Sequence, residues 1–463
     1  MLDAISYSGK EILEKYVLEN SCGEGNILIH VIRRYIEAAE QINLPRQQIK
    51  EDLEKYIIGF EIDIKTIEKC IKNLDNEARK YGIDGVRWNV KNADYLRYTI
   101  NEGIDFIIGN PPYIMYQNLQ HREREFLKEN FESCTKGKFD YCYAFIEKSI
   151  KELSTIGMMS YIVPSSIFKN VFGKELRKIL AQSLEKIYDY KESVVFNNVL
   201  TSPAIICINK NSKKLSFRYY DVDNLKNFNV DKQTLGDKWL FLNQDSTLNS
   251  SSNRKFKDYF KVSNSVATLL NSVFIINEKD ILLEDDKYIE VKNHRIEKSI
   301  LRPAASPRGT ARSKIEYIIF PYGYAGGKLV KFDEQEIKLN YPGAYKYLLS
   351  YFDDLNARTS DNSAKWFEYG RSQALLHLNQ EKILLSSVIT NEVNLYRLDQ
   401  LTIPYSGFYI VPISNKSLGE AEEILNSQDF FSYLSVRGIN ANGRSLRFSV
   451  NDILNYPIDN NRH

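Results

Sequence analysis

Residues 105–113 read Asp-Phe-Ile-Ile-Gly-Asn-Pro-Pro-Tyr. Phe106, Ile107 and Ile108 have the character of a buried strand, and Gly109 closes it. Neither Pro111 nor Pro112 can donate to a sheet ladder, so Asn110-Pro111-Pro112-Tyr113 must lie past the strand's carboxyl end. In an open parallel sheet that is where ligands bind. The tetrapeptide offers an amide side chain, carbonyls held by rigid proline torsions, and an aromatic face. Such a set suits an exocyclic amine on a flat ring. Oxygens accept the amine's two hydrogens, and the ring stacks on a π surface. A plain proline turn at a strand end is the structural alternative.

The elements that must position this turn lie on both sides of it. Upstream, Val17-Leu18-Glu19-Asn20-Ser21-Cys22-Gly23-Glu24-Gly25 reads as a short strand running into a glycine loop. Gly23 and Gly25 let the backbone turn sharply and come close to a ligand with no Cβ in the way. Ile27, Leu28, Val31, Ile32 and Tyr35 follow at helical spacing, and Tyr56–Asp63 reads as a second strand. Glu61 stands near that strand's tip, the usual place for an acid that holds ribose hydroxyls. Downstream, Gly157–Pro164 predicts another strand, and Ala204–Asn209 with Leu215–Tyr220 a strand pair.

Taken in order, these segments resemble the gamma-class adenine-N6 DNA methyltransferases of restriction–modification systems, the TaqI-type methylases. Asn110–Tyr113 resembles the family's catalytic motif and the Gly23–Gly25 loop its S-adenosylmethionine loop. Asn92-Ala93-Asp94 resembles the third motif, whose aspartate accepts a hydrogen bond from the cofactor's adenine. Phe139–Phe145 resembles the opening of the helix after the catalytic loop. Val194–Val199 with Ser202–Cys207 resembles the segment whose aromatic faces the target base. The resemblance implies a catalytic set of Asn110, Pro111, Pro112 and Tyr113, with Tyr113 and Phe196 stacking the target base. It assigns Glu19, Cys22, Gly23, Gly25, Glu61, Ile62 and Asp94 to S-adenosylmethionine. Asn20 stands where the family usually has proline. Only 18 residues precede Glu19, fewer than the family's helix-capping motif needs, with Ser6-Tyr7-Ser8-Gly9 as its remnant. The cofactor pocket is therefore expected to be more open, or completed by other residues.

The expected fold is α/β, an S-adenosylmethionine-dependent methyltransferase (Rossmann-like) sheet followed by a mixed α+β DNA target-recognition domain. At 463 residues the chain suggests two or three domains. We place a catalytic domain at 1–220, a connector at 221–255 containing the polar stretch Ser246–Asn253, and the recognition domain at 256–463. Short strands at Tyr317–Phe320, Lys382–Leu385 and Phe408–Pro412 mark the second half. The five cysteines and five histidines show no metal-ligand spacing, and the cysteines read as reduced thiols. No apolar run is long enough to span a membrane, and the amino terminus lacks a signal pattern, which points to the cytoplasm.

Net charge is only +2, but its distribution is uneven. Residues 291–330 carry eight Lys/Arg against Glu297 and Glu316, and residues 431–450 add Arg437, Arg444 and Arg447 with no acid. Such clusters bind phosphate through counterion release, and arginine forks can read base edges. Arg308, Arg312, Lys314, Arg444 and Arg447 are the expected contacts to double-stranded DNA, with Ser306–Arg312 as a loop suited to a groove. The function implied is transfer of a methyl group to N6 of an adenine flipped out of duplex DNA, with a separately encoded restriction endonuclease as partner. RNA adenine methylation, glutamine methylation of a protein, and DNA binding on an inactive fold are the alternatives.

Overall fold

Val17-Leu18 and Ile57-Ile58 are continuous apolar runs because both faces of their strands are covered. Val17 and Ile57 enter one buried cluster, Leu18 and Ile58 the other. In the computed structural model, which describes residues 1–191, 202–241, 254–442 and 445–458, these pairs seed a nine-stranded sheet. Strands β1 (Val17–Glu19), β2 (Ile57–Glu61), β3 (Asn89–Asn92), β4 (Ile104–Gly109) and β5 (Leu153–Pro164) are parallel, in the order β3-β2-β1-β4-β5. Beyond β5, β7 (Pro203–Asn209) runs antiparallel between β5 and β6 (Leu184–Asp189). The last two strands are β8 (Ser216–Asp221), parallel to β6, and β9 (Lys226–Asp231), antiparallel at the edge.

Helices cover both faces. Helices α1 (Leu28–Gln41), α2 (Arg46–Tyr56) and α3 (Ile64–Arg79) supply one cluster. Helices α4 (His121–Asn130), α5 (Cys142–Glu152) and α6 (Lys174–Ser183) supply the other. The helix expected from Ile27–Tyr35 is α1, with Leu28, Val31, Ile32 and Tyr35 buried. Ahead of β1, Leu2, Ile5, Tyr7 and Ile12 are buried in the α1–α3 cluster. Tyr7, from the segment resembling a capping remnant, meets Phe106 of β4 edge-on at 5.1 Å.

The chain forms two compact units, Met1–Ser246 and Thr247–His463. The first therefore runs beyond 220, because β9 continues the sheet. Val230 is buried in its core, and Trp239 packs over Phe168 at 6.2 Å, with its amide donating to the Phe168 carbonyl at 2.8 Å. The polar stretch 246–253 and Phe196 lie outside the described residues, as does Arg444. The second unit is rich in short strands. Phe260–Asn264, Phe408–Pro412, Lys382–Leu385 and Leu395–Leu398 form one antiparallel sheet. Glu316–Ile319 and Leu301–Ala305 are central to another. Among the described residues, no helix is long and apolar enough to cross a membrane.

A fragment ending at residue 246 should unfold in urea as one cooperative transition. Ending it at 220 instead removes the burial of Val230 and Trp239 and should lower stability by about 3 kcal/mol or more. Equal midpoints for the two fragments would place the boundary back at 220.

Candidate active site

β1 pairs with β2 on one side and β4 on the other. Strand order reverses between β1 and β4, and the crevice at their carboxyl ends is where an open α/β sheet binds its ligand. The glycine loop leaves β1 here, and Asn110–Tyr113 leaves β4.

Glu61 fastens the glycine loop. Its carboxylate accepts from the amides of Ile62 at 2.8 Å and Asp63 at 3.0 Å through one oxygen, and from the amide of Gly23 at 3.2 Å through the other. The Cys22 amide donates to the Phe60 carbonyl at 2.9 Å. Gly25, at φ +82°, lies so close to α3 that a Cβ would stand 2.8 Å from Cys70 Sγ. Gly23, at φ +53°, is different: a Cβ there would meet no atom of the chain within 4 Å. Gly25 thus serves packing, and Gly23 leaves the loop backbone approachable. Beside them Ile62 is 73% exposed, an apolar surface at the tip of β2.

Glu19 ends β1 inside the α1–α3 layer. Burial pushes its carboxyl well above the usual range, the Cys70 thiol adds to this, and the Leu28 backbone partly offsets it. One of its oxygens is buried with no hydrogen-bond partner. Asp94, just past β3, caps the following turn through the Leu96 amide at 2.9 Å and pairs with Arg97 at 3.0 Å. Arg97 also pairs with Glu123 at 2.7 Å and lies over the Phe126 ring at 3.6 Å.

The Asn110–Tyr113 turn is held from three directions. Ser21 Oγ donates to the Asn110 carbonyl at 3.1 Å, which ties it to the glycine loop. The Tyr113 hydroxyl, its phenol pKa raised by burial, shares its one proton between Asn110 Oδ1 and the Ile162 carbonyl of β5, the latter at 2.8 Å. Beyond the turn, the Tyr141 amide donates to the Ile114 carbonyl at 3.0 Å, and Met115 bridges Asp140. Asn110 is itself exposed, and its amide oxygen keeps a second lone pair for a ligand donor.

Glu19, Cys22, Gly23, Gly25, Glu61, Ile62 and Asp94 therefore gather at the ends of three adjacent strands, with Asn110–Tyr113 next to them. The set fits S-adenosylmethionine. An orphaned buried acceptor suits an ammonium, the Glu61 carboxylate suits vicinal hydroxyls, and Ile62 suits a flat base. Ser21 and Arg97 also belong to this edge; they lie within or just after the segments read as motifs, but their own contacts cannot be read from the sequence. Their partners Asn110 and Glu123 are 89 and 26 residues away.

In the second unit, residues 306–312 form no open loop. Ser306 caps a short helix, Pro307–Thr310, by accepting from the Gly309 amide at 3.1 Å. Arg308, Arg312 and Lys314 are exposed, and no ion pair engages them among the described residues. Other cations of the 291–330 cluster are neutralised from outside that window, Arg295 by Asp285 at 2.5 Å and Lys298 by Glu284 at 2.5 Å. Arg447 is exposed on the strand Ser445–Arg447.

The two glycines should separate in a stability measurement. Gly25→Ala combines left-handed strain with the Cys70 clash and should cost about 3 kcal/mol. Gly23→Ala carries only the strain, about 1 kcal/mol. Adding Cys70→Ala to Gly25→Ala should recover the steric part alone. Equal urea midpoints for the two single variants would contradict this division.

The profile of the family described as Eco57I restriction-modification methylase matches residues 26–196. The chain is similar to the Type II restriction enzyme and methyltransferase RM.Eco57I of Escherichia coli. They are 26% identical over 399 residues, covering 74% of this chain and 39% of that protein. It is also similar to the Type II methyltransferase M.HincII of Haemophilus influenzae, at 26% over 411 residues, with 80% of this chain and 76% of that one covered. In fold it resembles the Type IIL restriction-modification enzyme MmeI, solved in complex with DNA. That match has a TM-score of 0.63 at 13% identity and covers 98% of this chain and 63% of that one. The DrdV–DNA complex gives a TM-score of 0.55 at 13% identity, covering 89% and 47%. This chain thus spans well under half the length of RM.Eco57I but most of M.HincII. Over residues 26–196 the chain matches the Eco57I restriction-modification methylases, and the long alignments and the fold agree with that match.

Proposed function

We propose that this chain transfers a methyl group from S-adenosylmethionine to N6 of an adenine in double-stranded DNA. It would do so as the modification enzyme of a restriction–modification system, in the cytoplasm and beside a separately encoded endonuclease. The observation that carries this reading is the Asn110–Tyr113 turn at the end of β4, tied by Ser21 to the glycine loop that ends β1. S-adenosylmethionine supplies an electrophilic sulfonium methyl. The chain supplies acceptors and alignment. Adenine's N6 lone pair is delocalised into its ring and is a poor nucleophile. Hydrogen bonds from the amine to Asn110 Oδ1 and the Pro111 carbonyl favour a more tetrahedral nitrogen and aim its lone pair. Because these acceptors are fixed beforehand, they also stabilise the positive charge that develops on nitrogen. No covalent intermediate and no strong base are needed, since the methylated amine is acidic enough to lose its proton afterwards. The target base cannot reach the turn from within a duplex and must be flipped out, at a cost that stacking on Tyr113 partly offsets.

The second unit is assigned to DNA recognition. Arg308, Arg312 and Lys314, without an acidic partner among the described residues, are its candidate contacts, and Arg447 adds another.

Asn110→Ala removes one acceptor while leaving the cofactor edge intact. Single-turnover methylation of unmethylated DNA with tritium-labelled S-adenosylmethionine should slow by about two to three orders of magnitude, with cofactor affinity little changed. Since the Tyr113 hydroxyl is bonded to Ile162 and touches Asn110, Tyr113→Phe should also slow the reaction, by about tenfold. A parental rate in Asn110→Ala would remove the catalytic assignment.

Arg308→Ala and Arg312→Ala should leave cofactor binding unchanged. If an arginine contacts phosphate, affinity should fall for all sequences and the salt slope should drop by about one. If it reads a base, discrimination at one position should relax by about 1–3 kcal/mol. Neither effect in either variant would return this surface to plain solvation.

A further inference from the structure

Behind the catalytic turn runs a buried chain of hydrogen bonds that the chemistry above does not use. Asn20, 2% exposed, donates from Nδ2 to Ser149 Oγ at 2.9 Å. Ser149, fully buried in α5, also meets the Tyr161 hydroxyl at 2.7 Å and the Tyr95 hydroxyl at 3.2 Å. Tyr95 donates its one proton to Glu152 Oε2 at 2.5 Å, and Lys148 pairs with the other Glu152 oxygen at 3.0 Å. These contacts fix the directions. Since Tyr95 is already a donor to Glu152, the Ser149 hydroxyl donates to Tyr95 and accepts from Asn20 and Tyr161. One serine oxygen is thereby saturated by groups from three other segments.

Each of those segments ends at the site. Asn20 follows Glu19 at the exit of β1, and Tyr95 follows Asp94. Tyr161 lies in β5 directly opposite Gly109, the residue before Asn110. The packing at Gly109 is tight: a Cβ there would stand 3.2 Å from the Tyr161 ring and 3.5 Å from Asn20 Oδ1. That oxygen is buried with no hydrogen-bond partner. A network so desolvated holds its geometry firmly, because any member that moves leaves a polar group unpaired.

We infer that Ser149, with Asn20 and Tyr161, forms a positioning cluster for the transfer, one hydroxyl fixing the exits of β1, β4 and β5 and the Asp94 turn relative to one another. The inference rests on the methyltransferase reading above. None of the three touches the reacting atoms. They act by keeping the cofactor loops and Asn110 in register, where a displacement of about 1 Å is enough to cost roughly a hundredfold in rate.

The test uses the full chain, unmethylated DNA and tritium-labelled S-adenosylmethionine. Ser149→Ala removes the hub, whereas Ser149→Thr keeps its hydroxyl. Single-turnover rates at saturating cofactor and DNA should fall by roughly tenfold to a hundredfold in Ser149→Ala and largely recover in Ser149→Thr. DNA affinity should change by less than about threefold, since no DNA contact is touched. Tyr161→Phe keeps the ring against Gly109 and loses only one donor, so it carries the test if Ser149→Ala does not fold. Its rate should fall by about threefold to tenfold. A lower melting temperature with a parental rate in these variants would make the cluster purely structural and overturn the inference. A parent that transfers no methyl group to DNA would instead remove the underlying reading, and the inference with it.

Discussion

Parallel pairing on both sides of β1 is the constraint from which the site follows. A parallel strand can reach its neighbour only through a crossover, so each strand exit on this edge is also the start of a covered connection. With β2 on one side of β1 and β4 on the other, the connections depart in opposite directions and leave a crevice between them. The glycine loop, the Glu61 tip and the Asn110–Tyr113 turn all occupy that edge. Their sequence separation is wide, yet none needs a long side chain to reach the others. Ser21 spans from one loop to the next with a single hydroxyl.

Within this edge two kinds of fastening coexist. The outer one is partly solvated: Glu61 collects three backbone amides, and Asp94 is shared between a turn cap and Arg97. Bonds of this kind can be exchanged for ligand hydroxyls or amines at small net cost. The inner one is buried around the saturated Ser149 hydroxyl, and exchange there would orphan further buried groups. A rigid interior beneath an exchangeable rim is what a site needs if it is to bind and release a cofactor while holding one acceptor still.

In the second unit, part of the basic cluster is paired with acids. Asp285 and Glu284 neutralise Arg295 and Lys298 although both acids lie before the basic stretch in sequence. Arg308, Arg312 and Lys314, which no ion pair engages among the described residues, are carried on the short Ser306-capped helix and the turn after it. The cap is itself held by the Tyr405 hydroxyl, 3.1 Å from Ser306 Oγ and 2.6 Å from Glu316. These arginines thus stand on a braced element, so less conformational freedom would be lost in any contact they made.

Local chemistry determined much of this protein in advance. Two prolines cannot stay in a ladder, so Asn110–Tyr113 had to be a strand exit. Continuous apolar runs such as Ile107-Ile108 had to be buried on both faces, and helical spacing set α1. What tertiary structure decided are the relations between distant residues. The first unit extends past 220 because Val230 and Trp239 find a core that their own stretch does not announce. The short helix Pro307–Thr310 is capped locally by Ser306, but it is braced because Ser306 and Tyr405, 99 residues apart, meet there. The Tyr113 hydroxyl acquires a role because β5 places Ile162 beside it. Asn20, in the sequence only a substitution for a customary proline, becomes part of a network because Ser149 arrives from 129 residues away. Strand character and turn chemistry are properties of adjacent residues, so a sequence carries them openly. Hydrogen-bond partners, charge neutralisation and burial depend on which segments the fold brings together, and they exist only once it has formed.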